Sequence, residues 1–207
     1  MPLVRRLVIY CVDVGSVEKR RFGWARGRWA PNGVQLTHGS EEITELLKEL
    51  RIDLQSGKPV ALGFECPLFV PVRDNPDELT RGRAGEGSPA WSSNIGATVL
   101  ATGLAQTVWI LDRVRHAGVR AFLNWPAFCE AGAGLFLWEA FVTADAKGDH
   151  VQDAVTGVSL FASRVLVGVA SVVPEESVQS LIGAALLWSG WSKDLSLLRT
   201  PCVVMKA

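Results

Sequence analysis

A chain of 207 residues, 48% apolar and 20% charged, is long enough for one sizeable domain with a real core and is not a disordered composition. Its 21 basic and 21 acidic side chains cancel, which excludes a strongly basic nucleic-acid coat and leaves any such binding to a local patch. Cys11, Cys66, Cys129 and Cys202 lie far apart without a CxxC pair, so they read as reduced, mostly buried thiols of a cytoplasmic protein, not as a disulfide frame or a zinc cage.

Residues 7–12, LVIYCV, form a continuous apolar run that predicts a central strand buried on both faces. The run is too short for a signal peptide and passes straight into Asp13. Residues 21–29 and 33–38 predict a second and a short third strand, giving an antiparallel meander. Ser40 is placed to cap a helix with Glu41 and Glu42 in its first turn, where the dipole favours acids; Ile43, Leu46, Leu47 and Leu50 keep the helical period, and Gly57 ends it. Residues 59–64, PVALGF, predict another buried strand, with Glu65 at its end. Residues 66–93 contain four prolines and read as a long loop or lid. A helix is expected over 94–117, with Gly118 beyond it, then strands over 119–124 and 134–142. A helix begins near Asp149, another covers about 175–189, and the tail PCVVMKA returns as a strand or lies along the surface. The run 154–173 carries one charge, Arg164. A central Arg costs about 2.5–3.5 kcal/mol in a bilayer, so a core helix running into a short apolar connection, with no membrane association, is the reading taken. This order predicts an α/β fold of one domain, 1–207, with a mixed central sheet flanked by helices.

Three groups of acids stand out. Asp13 ends an apolar strand before Val14-Gly15-Ser16, at a sheet rim where ligands bind; it can equally be a turn acid bonding nearby amides. Glu65 leads from a buried strand into an X-Pro turn, where a carboxylate is costly to desolvate unless it is paired or holds a cation, or else it faces water. In GDHVQDAVTG, residues 148–157, helical spacing puts Asp149, His150 and Asp153 on one face near a helix N-terminus. Asp149 is also a good N-cap. Strand order brings the ends of the first and fourth strands side by side, with the first turn of this helix over them. An oxygen-rich set with one His suits Mg²⁺ or Mn²⁺ better than zinc. A pair of such ions activates water and stabilises the leaving oxygen in phosphodiester cleavage.

The constellation resembles the ribonuclease H-like superfamily, in which acids on the first strand, the fourth strand and a later helix bind two metals. His150-Val151-Gln152-Asp153-Ala154 resembles the HxxDA signature of Holliday-junction resolvases. Glu65-Cys66-Pro67-Leu68, Val72-Arg73-Asp74, Trp138-Glu139-Ala140-Phe141 and the helix start at Asp149 resemble a family of uncharacterised predicted ribonuclease H-like nucleases. The chain departs from it in having Glu at 65, His at 150 and no proline after the Glu139 segment. The resemblance implies a metal-dependent nuclease: Asp13, Glu65, His150 and Asp153 catalytic, and Asp13, Glu65, Asp149 and Asp153 around the metal. Arg73 and Glu139 then belong to the substrate side.

Lys19, Arg20, Arg21, Arg26 and Arg28 interleave with Phe22, Trp24 and Trp29, a pattern able to track a DNA or RNA backbone and stack on bases. Arg26 and Arg28 share a strand face, so they are candidate substrate contacts; a plain strand with a solvated basic face is the other reading. Arg73, Arg81 and Arg83 either meet phosphates or decorate a mobile, solvated loop. Two further functions stay open: a non-catalytic binding or scaffold module of the same fold, and an actin-like ATPase or kinase relative, which shares the first-strand Asp-x-Gly.

Overall fold

In the computed structural model, which describes residues 3–31, 33–142, 148–165 and 167–207, β1 (Val8–Asp13) is buried along its whole length. β2 (Gly23–Ala30) runs antiparallel to it, Asp13 facing Gly23, and β3 (Gly33–Ser40) pairs antiparallel with β2. α1 (Ile43–Gln55) then buries Leu46, Leu47, Leu50 and Leu54. Its cap is Glu42, not Ser40. Pairing of β3 with β2 continues to Ser40 opposite Trp24, and the Ser40 hydroxyl instead accepts from Glu42 N at 3.0 Å. β4 (Pro59–Phe64) returns parallel to β1.

The loop that follows holds β5 (Phe69–Pro71) and a 3₁₀ turn at Pro76–Glu78. α2 (Asn94–Val114) starts at Ser93, whose side chain accepts from Gly96 N, and ends before the expected residue 117 because Arg115 is extended. β6 is only Ala121–Phe122, and α3 (Trp125–Ala131) lies between the two expected strands, where no element was assigned. Asn124 caps α3 by accepting from Ala127 N at 2.9 Å, and Pro126 stands where a helix's first turn tolerates it. β7 (Gly134–Phe141), α4 (His150–Arg164), β8 (Val178–Ser180), α5 (Leu181–Trp188) and β9 (Val203–Lys206) complete the chain. The helix expected over 175–189 is shorter because residues 178–180 pair with β5.

The main sheet has seven strands in the order β3-β2-β1-β4-β7-β6, with β9 also on β7. Among the described residues its two antiparallel pairings, β1–β2 and β2–β3, both involve β2, and the others are parallel. β6 takes the first half of the outer edge of β7 and β9 the second half. Successive β1 residues point to opposite faces. Val8, Tyr10 and Val12 join a core with α1, α2 and α5, whereas Ile9 and Cys11 join one with α3 and α4. α4 buries Ala154, Gly157, Val158, Phe161 and Ala162 and stops at Arg164, so the apolar run 154–173 is not one helix; Leu166 within it lies outside the described residues. Among the described residues α2 alone is long and apolar enough to cross a bilayer by length and composition; its Ile110, Leu111 and Val114 pack into the core.

Arg26 does not line an exposed basic face. It is buried, and donates to Asp53 Oδ2 at 2.9 Å and Oδ1 at 3.1 Å, and to Thr37 Oγ1 at 2.7 Å. Tyr10 Oη and Lys58 Nζ each donate to the same carboxylate at 2.6 Å. Arg28, two residues on, is exposed. Burial pushes the Asp53 carboxyl up, but the bonds from Lys58 and Tyr10 and the charge of Arg26 outweigh it and hold it below the usual aspartate value. A depressed folded value stabilises the native state above the unfolded value of about 4, and the contribution is lost as pH falls through the folded one. Urea midpoints measured from pH 7 down to 3 are therefore expected to fall more steeply below about pH 4 in the wild type than in Asp53→Asn. Parallel profiles would remove Asp53 from the acid response.

Candidate metal centre

β1 and β4 are parallel neighbours, so their carboxyl ends lie together, the usual side for ligands in open α/β sheets. Asp13 is the last residue of β1, and Glu65 follows β4, its amide donating to Val12 O at 2.8 Å. Asp153 comes from the first turn of α4. A carboxylate oxygen from each of the three lies within 4.8 Å of the others, and all three residues are buried. The cluster can hold a metal ion. Its donors are all hard oxygens, as Mg²⁺ and Mn²⁺ prefer. Its negative charge is felt next door: burial first, then the charges of Glu65 and Asp13, hold the Cys11 thiol well above its ordinary value.

Two glycines let α4 come this close. A Cβ on Gly23, opposite Asp13, would lie 2.3 Å from the carbonyl carbon of His150. One on Gly157 would lie 2.3 Å from Cys11 Sγ. Backbone atoms cannot yield as a side chain does, so Gly23→Ala has to push the first turn of α4 away from β1. The expected result is a loss of about 1–3 kcal/mol of stability and roughly tenfold weaker Mn²⁺ binding, the scale of a ligand-positioning change. Calorimetry and an electron-paramagnetic titration of free Mn²⁺ read the two. Unchanged affinity would show that this approach does not set the third carboxylate.

Asp149 and His150 divide between two jobs. Asp149 is exposed and is the N-cap of α4, its Oδ1 accepting from Gln152 N at 2.8 Å. It was expected among the metal ligands, but it stands outside the three-carboxylate group, with Oδ1 serving the end of its own helix. His150 Nδ1 bonds Asp13 Oδ2. That engages Nδ1 and leaves Nε2 as the ring nitrogen able to take or pass on a proton. Asp153 Oδ1 accepts from Gly148 N at 2.6 Å.

Glu139 and Arg73, expected on the substrate side, are both engaged in ion pairs within the protein. Glu139 is completely buried; Arg83 donates to its Oε1 at 2.6 Å and its Oε2 at 2.8 Å, and Leu68 N donates to Oε2 at 2.9 Å. Arg83 also donates to Glu86 Oε1 at 2.8 Å. Burial works against the Arg83 charge, yet Glu139 and Glu86 outweigh it and hold the guanidinium above its ordinary value. This knot ties the loop after Glu65 and the loop around residue 83 to β7. Arg83 was expected on phosphates or on a solvated loop; it does neither. Arg73 clamps Glu175 at 2.9 and 3.1 Å. Local spacing could not have revealed the knot, since Arg83 and Glu139 are 56 residues apart.

Compared with known proteins, the chain matches no family model, no curated sequence and no solved structure.

Proposed function

We propose that the chain is a metal-dependent nuclease of ribonuclease H-like fold, hydrolysing phosphodiester bonds. One observation carries the reading: three buried carboxylates, brought from β1, the end of β4 and α4, meet within 4.8 Å. The strand order β3-β2-β1-β4-β7 with β2 alone reversed supports the fold half of it. Asp13, Glu65 and Asp153 would hold Mg²⁺ or Mn²⁺. Such an ion supplies charge neutralisation for phosphate oxygens and acidifies water at neutral pH. The protein's own part is positional. The rigid strand ends and the capped helix hold three like charges in place, and Asp13 orients the His150 ring so that Nε2 can move a proton at the reacting centre.

Nucleic acid, DNA or RNA, is the substrate class. Lys19, Arg20 and Arg21 are exposed in the connection that leaves β1 at Asp13 and enters β2 opposite it, where cations would meet phosphates on either side of the cut. Arg28 remains available further along β2. A cytoplasmic setting keeps the four free thiols reduced.

The test is cleavage of labelled single strands, duplexes, RNA–DNA hybrids and branched junctions in Mn²⁺ and Mg²⁺. Metal-dependent cutting of any of them supports the reading. A folded protein that binds no Mn²⁺ and cuts nothing overturns it. A second reading, a non-catalytic binding module, draws on the internal pairing of Arg26, Arg73 and Arg83. It predicts partner binding that EDTA leaves unchanged, and no turnover.

A further inference from the structure

A cavity of about 300 Å³ opens beside the carboxylates, between the loop carrying Trp91, the start of α2 and the end of β7. Glu65 belongs both to its lining and to the three-carboxylate cluster. Whatever is held at the carboxylates is therefore next to whatever fills the cavity. The volume is at the small end of ligand pockets.

The lining says what kind of group fits. It includes the rings of Trp91, Phe141 and Pro67 together with Ile95 and Val99; among the described residues its charged side chains are two acids, Glu65 and Glu86, the latter already paired with Arg83. No Lys or Arg is among the described lining residues, so the lining offers a phosphate or carboxylate no counter-charge. The occupant that suits this lining is uncharged, largely apolar, and attached to something held at the carboxylates. The Trp91 indole is fixed in advance: Nε1 donates to Arg81 O and the backbone N to Glu86 Oε1, each at 3.1 Å. Ile95, at 68% exposure, stands at the same site open to solvent.

Resting on the nuclease reading, we infer that this cavity takes the base of the nucleotide whose phosphate is bound at Asp13, Glu65 and Asp153. A base is flat, uncharged and joined to its phosphate by one sugar, as the shared Glu65 wall requires. Ser88 contributes the one side-chain hydroxyl of the lining. The base is therefore held by stacking on aromatic and apolar groups rather than read edge by edge, and purines and pyrimidines are accepted alike. The substrate is a strand with at least one unstacked base beside the cut, not a continuous duplex.

The test separates base from phosphate. Free nucleosides are titrated in EDTA, and nucleoside 5′-monophosphates and ribose 5-phosphate in Mn²⁺, with tryptophan fluorescence and calorimetry as readouts. The wild type is expected to bind the monophosphates roughly tenfold or more tighter than ribose 5-phosphate, the scale of one stacked base. Val99→Phe, which fills the cavity, is expected to abolish that increment and leave Mn²⁺ and ribose 5-phosphate binding as they were. Trp91→Ala, as a second variant, should reduce the increment without occupying the space. Equal affinity for nucleotide and ribose 5-phosphate in the wild type overturns the inference, and so does an increment untouched by both variants. Displacement by an aliphatic alcohol but not by nucleosides also overturns it, in favour of an acyl chain. The nucleoside titration needs no cation, so the cavity is judged even where Mn²⁺ binding, and with it the nuclease reading, fails.

Discussion

Asp13→Asn and Asp153→Asn are each expected to lower metal-dependent cleavage by roughly 10³-fold or more, with the fold intact. Disturbing a residue that only supports a ligand commonly costs about 10–100-fold; removing one of three anionic ligands costs more. Stability should move the other way. Without a cation, three buried carboxylates within 4.8 Å repel one another, and asparagine is isosteric with aspartate. At position 153 it still offers an oxygen to Gly148 N, the bond that Asp153 Oδ1 accepts at 2.6 Å. The metal-free variants should therefore melt at or above the wild-type temperature. Saturating Mn²⁺ should stabilise the wild type by about 2.7 kcal/mol at a hundred times Kd, raising its midpoint, and leave the variants where they were. Melting curves with and without Mn²⁺, beside the cleavage assay, give both readouts. Full activity in Asp153→Asn would take that carboxylate out of the site.

The largest loss of stability is expected from Arg83→Met. Arg83 has no exposed side-chain surface and neutralises both Glu139 and Glu86. Breaking a buried pair by removing one partner costs about 3–5 kcal/mol, because the other charge stays buried and uncompensated. Here two carboxylates are left, one already pushed upward by burial. For a chain of this size the loss corresponds to about 10 °C in Tm. Glu139→Gln added to Arg83→Met should recover part of it, since a neutral amide needs no counter-ion and can still accept from Leu68 N. A double-mutant cycle in urea measures the coupling. A loss under about 1 kcal/mol for Arg83→Met would show that the knot does not hold the loop.

The parts of the fold legible in the sequence are those whose cause is local. The runs LVIYCV and PVALGF are strands because a strand covered on both faces must be apolar throughout, and Asp149 caps a helix because short acids do so wherever a helix begins. Asp13 and Glu65 were legible for a related reason, since acids at the ends of such strands need a partner, and Asp153 because it stands in a helix's first turn with apolar residues after it. Pairing across the chain was not legible. Arg26 and Asp53 are 27 residues apart, so a basic residue on a strand looked solvent-facing when its counter-ion sits on a helix packed over it. β5 and β8, three residues each, become strands only by finding one another. α3 did carry signals, Asn124 and Pro126, but its seven residues are too few for a period to emerge. The apolar cavity was invisible, because Trp91 and Ile95 meet Phe141 only once α2 is laid against the end of β7.

The three carboxylates come from residues 13, 65 and 153, and β1 pairs with a neighbouring hairpin strand, β2, on one side and with the more distant β4 on the other. No fragment short of most of the chain owns the site. Contacts so distant in sequence form late, because the entropy of closing long loops must first be met. Without a cation, repulsion among the acids opposes the docking of α4 onto the ends of β1 and β4. A divalent ion taken up there would act as a clasp, closing the helix onto the sheet and joining parts of the chain that local folding cannot bring together.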